Sequence, residues 1–218
     1  MLSLTLSPDN QRRMTVLCLG AHSDDIEIGC GGTLIQLQER CPGIQFHWVV
    51  FCAEGRRQQE AEKACDLFVL ERKKNLVLKQ FRDGFLPYSG SAVKEHFEEM
   101  KGQVAPDLIF THWGGDAHQD HRMISELTWN TFRNHWILEY EIPKYDGDMG
   151  RPNVFVPLES ATYERKLNHL LEAFDSQRSK AWFTRETFSG LMRLRGMESN
   201  ACSGYAEAFY SRKILINL

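Results

Sequence analysis

The sequence predicts an α/β protein built on a Rossmann-like, doubly wound and mostly parallel sheet with helices on both faces. Apolar runs of strand length alternate along the chain with segments of helical periodicity, which is the pattern of such sheets. The chain has 218 residues, enough for a sizeable core, and we expect a single domain over residues 1–218. Hydrophobic residues make up 42% and charged residues 25%, so disorder is not expected as the main state.

Five short runs of mainly apolar residues predict the strands. In chain order they are Met14–Leu19, Ile44–Phe51, Asn75–Leu78, Asp107–Thr111 and Ile137–Glu141. Runs of this length suit buried parallel strands better than helices, which usually need ten or more residues. Pro106 introduces the fourth run.

Segments whose apolar residues fall on one side predict the helices between these strands. They are Glu27–Arg40, Gln58–Phe68, Val93–Met100, Met123–Trp136 and Leu158–Phe174. In the second segment, for example, Ala61, Ala64 and Phe68 share one side of a helix. The residues after Phe174 show no clear pattern.

The charge balance argues against two classes of partner. The chain has 26 Lys and Arg against 29 Asp and Glu, a formal net charge of −3. We therefore expect neither nucleic-acid binding nor attraction to anionic membranes. The strongly apolar run Trp48–Ala53 is also far too short to span a bilayer.

The cysteines and the first residues indicate a reducing compartment. Six cysteines occur without any C-x-x-C pair, so the spacing of a zinc ribbon is missing. Residues 1–9 lack the basic stretch and the long apolar stretch of a signal peptide. We therefore expect free thiols and a cytoplasmic protein.

Two loops rich in His and Asp follow the first and fourth predicted strands. They cover residues 20–27 and 112–122. In the common strand order 3-2-1-4-5, the first and fourth strands flank the crevice where ligands bind at the carboxyl edge of the sheet. The two loops are therefore expected to face each other.

The residue types in these loops predict a metal site. His22 and Asp25 lie three residues apart at a strand-to-helix turn, and His121 can approach from the other loop. Two imidazoles and one carboxylate, with one position left open, are typical of catalytic zinc, and the same donor types hold Fe(II). The alternative is that Asp24 and Asp25 only cap the following helix, which stabilises it by about 0.5–2 kcal/mol.

A dinucleotide site is a weaker interpretation of the first loop. The glycines Gly29, Gly31 and Gly32 do not form G-x-G-x-x-G, and they come after two acidic residues that would repel a pyrophosphate. We expect these glycines to allow close packing of the helix against the sheet.

Three motifs resemble one known family. Residues 21–27, A-H-S-D-D-I-E, resemble the A-H-P-D-D-x-E motif of the LmbE/PIG-L family of zinc-dependent N-deacetylases. Residues 118–121, H-Q-D-H, resemble its later H-P-D-H motif, and residues 57–61 resemble its R-x-x-E-A segment. The resemblance extends over residues 14–215. Ser23 and Gln119 replace the prolines of the family motifs, so we expect looser loops there.

The resemblance implies a role for each matching residue. His22, Asp25 and His121 would hold Zn²⁺, or another divalent ion such as Fe²⁺. Asp24 would be the general base, and His118 would be an acid or hydrogen-bond donor.

Further roles are implied around this centre. Asp120 would pair with His118, and Arg57 would contact the substrate. From their positions at strand ends, Asp83 and His112 are additional candidates for substrate contacts. The alternatives are that Asp83 only forms a turn and that His112 supports the metal ligands from behind. Some members have a Tyr where this chain has Asp116, which removes a Tyr-assisted step.

The function implied by the resemblance is hydrolytic removal of an acetyl or other acyl group from an amino sugar or its conjugate. The partner would be a small N-acetylated sugar, and the chain would form a trimer or hexamer. Two alternatives stay open: a metal-dependent phosphoesterase, which usually needs two metals, and a non-catalytic sugar- or nucleotide-binding module with a vestigial metal site.

Overall fold

The computed structural model describes residues 13–216. Its strands are β1 (Thr15–His22), β2 (Gln45–Cys52), β3 (Lys74–Leu78), β4 (Leu108–His112), β5 (Trp136–Tyr140), β6 (Val154–Pro157) and β7 (Ala206–Tyr210). Its α-helices are α1 (Asp25–Arg40), α2 (Arg56–Phe68), α3 (Gly90–Gln103), α4 (Gln119–Thr131), α5 (Ser160–Ala173) and α6 (Arg185–Ser199).

All seven strands form one sheet in the order β3-β2-β1-β4-β5-β7-β6. The first five pair in parallel, whereas β7 pairs antiparallel with both β5 and β6. The predicted fold class and the 3-2-1-4-5 order are therefore confirmed. Strands β6 and β7 and helix α6 lie between Glu141 and Leu158 or after Phe174, where the sequence predicts no element. Strand β6 has only four residues, and buried β7 includes Glu207.

Helices cover both faces of the sheet because its strands are apolar on both sides. Along β1, Val16 and Cys18 join one core cluster, while Leu17 and Leu19 join the cluster on the opposite face. Helices α1, α2, α5 and α6 contribute to the first cluster, and α3 and α4 contribute to the second. The rigid sheet between these layers positions the loops at its carboxyl edge.

The glycines of α1 bring this helix close to its neighbours. A Cβ atom on Gly29 would lie 2.2 Å from the Tyr140 ring, and one on Gly31 would lie 2.4 Å from Phe68. Any larger side chain at either position would therefore collide with the core. This finding agrees with the packing role expected for these glycines.

Helix α4 corrects one predicted boundary. It begins at Gln119 and ends at Thr131, whereas the sequence predicted Met123–Trp136. The helix begins earlier because the ring of His118 caps it by accepting the Asp120 N–H. It ends earlier because the chain turns at Phe132 into β5, which contains Trp136.

The remaining predictions concern the cysteines, membrane-spanning segments, the first residues and the number of domains. The six cysteines are all free, and five of them are buried. Among residues 13–216, no helix is long and apolar enough to cross a membrane. The predicted lack of a signal peptide concerns residues 1–9, which lie outside the described residues. The single domain over residues 1–218 stays a prediction.

Candidate metal centre

The two His- and Asp-rich loops meet at the carboxyl edge of the sheet, as predicted. His22 ends β1, Asp25 begins α1, and His121 lies in the first turn of α4. His22 Nδ1 lies 3.1 Å from His121 Nε2 across 99 residues of sequence. The Asp25 carboxylate lies 3.4 Å from His22 Nδ1 and 3.5 Å from His121 Nε2.

These separations fit a divalent cation. Ligand bonds of about 2.0–2.1 Å at tetrahedral angles place neighbouring donor atoms roughly 3.3 Å apart. The His22–His121 separation and the two separations to the Asp25 carboxylate, which involve one oxygen each, are close to that value. Donor atoms within 4.8 Å of one another also group His22 and His121 with His118, and Asp25 and His121 with His112.

Carboxylates orient both imidazoles through their second nitrogen atoms. His121 Nδ1 lies 2.9 Å from Asp116 Oδ2. His22 Nε2 lies 3.0 Å from Asp83 Oδ1 and 3.3 Å from Asp120 Oδ2. Because each carboxylate accepts a ring proton, the other ring nitrogen keeps its lone pair for a metal.

The electrostatics of the cluster favour an ionised Asp25. Burial opposes ionisation of Asp25, but the nearby His121, His112 and His22 rings hold its pKa well below its usual range. Burial also opposes a charge on His22, yet Asp25, Asp120 and Asp83 raise its pKa well above the ordinary value. In the absence of a metal, both ring nitrogens of His22 therefore carry a proton, and metal binding would release the one on Nδ1.

His121 behaves differently from His22. Burial and the neighbouring His112 lower the pKa of His121. Its ring is therefore neutral near pH 7 and carries a free lone pair. A neutral imidazole is the form that binds a divalent cation.

Asp24 lies beside this centre and is almost completely buried. Its Oδ1 accepts a hydrogen bond of 2.5 Å from Arg57 Nη2. Arg57 Nη1 is held in turn by Glu60 Oε2 at 3.0 Å, and Glu60 accepts two hydrogen bonds from Ser176. The guanidinium that the sequence suggested as a substrate contact thus fixes the orientation of Asp24.

The expected pairing of Asp120 with His118 is wrong. Asp120 is the second residue of α4, and its carboxylate points to the loop after β3, where it accepts the N–H groups of Gly84 and Leu86. Its imidazole partner is His22. His118 instead accepts the backbone N–H of Asp120 at Nδ1, and burial and the neighbouring histidines lower its pKa.

The structure also separates the two weaker candidates for substrate contacts. Asp83 is 78% exposed at the rim, and its hydrogen bond with His22 lowers its pKa to about 2. His112 is completely buried, accepts the Ala21 N–H at Nε2, and stacks on His121 at 3.9 Å. The side chain of His112 thus lies against His121 beneath the centre, and its contact with substrate stays a prediction.

The comparison with known families decides the relationship that the motifs suggested. The family model PIG-L, described as GlcNAc-PI de-N-acetylase, matches residues 17–132, which include both His- and Asp-rich loops. This chain belongs to the PIG-L family.

Other proteins resemble this PIG-L chain over most of its length. The uncharacterized deacetylase YaiS of Escherichia coli K12 is 29% identical over 154 residues, which cover 65% of this chain and 80% of YaiS. The structure of N,N'-diacetylchitobiose deacetylase from Pyrococcus horikoshii is similar at TM-score 0.71 and 21% identity, over 93% of this chain and 86% of that one.

The same fold also occurs in a different enzyme. GalB, the 4-carboxy-2-hydroxymuconate hydratase from Pseudomonas putida KT2440, is similar at TM-score 0.74 and 16% identity, over 94% of this chain and 99% of GalB. Likeness at such low identity shows the fold alone. The chemistry of this PIG-L chain must therefore be argued from its own site.

Sequence reasoning missed several residues of this PIG-L site. In the sequence Asp116 stands out only as the replacement of a Tyr, although its spacing in D-x-H-x-x-H places it within reach of His121. Lys144 lies in the loop after β5, at the same edge of the sheet, and contacts Asp116. At the position of a family proline, Gln119 donates a hydrogen bond to the carbonyl of Gly84.

Proposed function

We propose that this chain is a metal-dependent N-deacetylase that hydrolyses the acetyl amide of an amino sugar or an amino-sugar conjugate. The observation that carries the proposal is the cluster of His22 Nδ1, His121 Nε2 and the Asp25 carboxylate, separated by 3.1–3.5 Å. Membership of the PIG-L family supports N-deacetylation. The description of that family model, GlcNAc-PI de-N-acetylase, supports an N-acetylated amino sugar as substrate.

In this proposal His22, Asp25 and His121 hold one divalent cation, for which we propose Zn²⁺. Fe²⁺ suits the same donor types. When bound, the cation supplies Lewis acidity, which polarises an amide carbonyl and makes a water molecule more acidic. The remaining chemistry is assigned to side chains of the chain itself.

Asp24 is proposed as the general base that accepts a proton from the attacking water. Arg57 occupies Oδ1 of Asp24, and no hydrogen bond of the described residues engages Oδ2. The proton is therefore accepted at Oδ2. Because Glu60 anchors Arg57 from the other side, the carboxylate of Asp24 keeps one orientation.

His118 is proposed as a hydrogen-bond donor to the oxyanion that forms at the amide carbon. Its Nδ1 accepts the Asp120 N–H, so the neutral ring carries its proton on Nε2. The lowered pKa of His118 favours this neutral form near pH 7. Asp120 holds the ring of His22, and the exposed Asp83 is proposed to bind a hydroxyl group of the sugar.

An amine-release assay with metal-reconstituted protein tests the proposal. N-acetylglucosamine, N,N'-diacetylchitobiose, nucleotide sugars and other N-acetylated conjugates would be screened for equal yields of free amine and acetate. Chelation should abolish release, and readdition of one metal equivalent per chain should restore it. An aryl phosphate serves as the control for phosphoesterase activity.

Two results would overturn the proposal. One is full turnover by protein that elemental analysis finds free of metal. The other is the absence of amine release from every acetylated substrate by protein loaded with metal, and phosphate release would then favour the phosphoesterase alternative.

A further inference from the structure

A buried chain of three side chains leads from the metal centre to the loop after β5. His121 Nδ1 lies 2.9 Å from Asp116 Oδ2, and Asp116 Oδ1 lies 3.0 Å from Lys144 Nζ. The Asp116 and His121 side chains are each 3% exposed, and that of Lys144 is 9% exposed. The three groups therefore interact away from bulk water, where a lost partner is not readily replaced.

The first step in this chain fixes the proton on His121. An ionised carboxylate only accepts hydrogen bonds, so Asp116 requires a proton on Nδ1 of His121. The lone pair of His121 is then on Nε2, which faces His22 and Asp25. Asp116 also accepts the backbone N–H of His118 at Oδ1, at a distance of 2.7 Å, so the carboxylate of Asp116 does not rotate freely.

The second step keeps Asp116 charged and in place. A buried carboxylate is unfavourable unless a cation or several donors compensate its charge. Lys144 is the cation in contact with Asp116, and it also pairs with Asp148 at 2.5 Å. Asp148 accepts the Ala117 N–H at 2.7 Å, which ties the Lys144 loop to the segment just before α4.

We propose that Lys144 is a positioning residue for the metal ligand His121 and that it acts through Asp116. Removal of the Lys144 ammonium takes away the cation at Asp116 Oδ1 and leaves this oxygen with the backbone N–H of His118 alone, so the carboxylate turns towards water more easily. That rotation deprives His121 Nδ1 of its acceptor and weakens metal binding. This inference rests on the proposed metal centre.

Metal affinity measured without turnover tests the inference. Metal-stripped protein would be titrated with Zn²⁺ and Co²⁺ against a chromophoric chelator, and folding would be checked by circular dichroism. We expect Asp116→Asn to weaken binding by about 10–100-fold, and Lys144→Met to weaken it by about 10-fold. Lys144→Arg should recover most of the loss, because it keeps the cation.

The double variant shows whether Lys144 acts through Asp116. In the Asp116→Asn background, Lys144→Met should cause no further loss of affinity. The matched control Lys101→Met removes a surface lysine whose nearest acid is Glu98 at 3.6 Å, and it should bind metal as the wild type does.

Any of three results would contradict the inference or the proposed metal centre on which it rests. Wild-type affinity in Lys144→Met refutes it, even if Asp116→Asn fails to fold. The inference is also refuted if the double variant loses metal affinity by the product of the two single fold-losses. If the wild type binds no divalent ion, the proposed metal centre itself fails.

Discussion

Two neighbouring ion pairs of α5, one buried and one exposed, allow a test of how burial changes the contribution of an ion pair to stability. Lys166 Nζ lies 2.6 Å from Glu207 Oε1, and both side chains are 2% exposed. Arg165 Nη2 lies 2.5 Å from Glu39 Oε1, but these side chains are 41% and 51% exposed. We therefore compare Lys166→Met with Arg165→Met.

Loss of the buried pair is expected to lower the free energy of unfolding much more than loss of the exposed pair. Removal of one partner from a buried pair costs about 3–5 kcal/mol, whereas an exposed pair contributes at most about 1 kcal/mol. Glu207 keeps hydrogen bonds from Gly32 N and Thr33 N, each 2.7 Å long, after Lys166 is removed. We therefore expect the lower end, about 3 kcal/mol, for Lys166→Met. For a chain of this size that corresponds to a Tm about 6–12 °C lower.

Urea and thermal unfolding followed by circular dichroism would measure both variants. A chelator should be present throughout, because metal binding to the native state would add stability of its own. The double variant Lys166→Met/Glu207→Gln removes the unpaired charge but keeps an acceptor for α1, and it should be more stable than Lys166→Met alone. Equal losses in Lys166→Met and Arg165→Met would refute the reasoning, as would a double variant no more stable than the single.

Two further predictions concern the site and the thiols. Asp24→Asn should keep the metal, measured by elemental analysis, and lose about 10²–10⁴-fold in kcat, because it removes a proton acceptor and not a ligand. Near-normal turnover would assign the base elsewhere. A thiol reagent should label Cys202 alone in the native protein and all six cysteines after denaturation, because the other five are buried. Rapid native labelling of a second cysteine would show that one of these buried positions opens readily.

The sequence alone was sufficient to predict the five parallel strands and the approach of the two His- and Asp-rich loops. Alternating apolar runs and helical segments define the strands, and parallel strands necessarily end at the same edge. His22 and His121 could therefore be placed together although 99 residues separate them. The packing role of Gly29 and Gly31 was also predictable, since their acidic neighbours argue against a phosphate-binding loop.

The direction in which a site side chain points, and how deeply it is buried, could be determined only from the tertiary structure. Asp120 meets His22 and not His118 because the loop after β3 supplies two N–H groups that orient its carboxylate. His112 ends a central strand, and only the folded structure shows that its ring is completely buried and accepts the Ala21 N–H.

The partners of Asp116 depended on tertiary structure in the same way. Lys144 reaches Asp116 from a loop that follows β5, and the sequence between Glu141 and Leu158 did not indicate this contact. The periodicity of a sequence reports which face of an element is apolar, and therefore predicts local structure and topology. Contacts between charged groups far apart in the chain depend on where several elements pack together, and only the folded protein decides them.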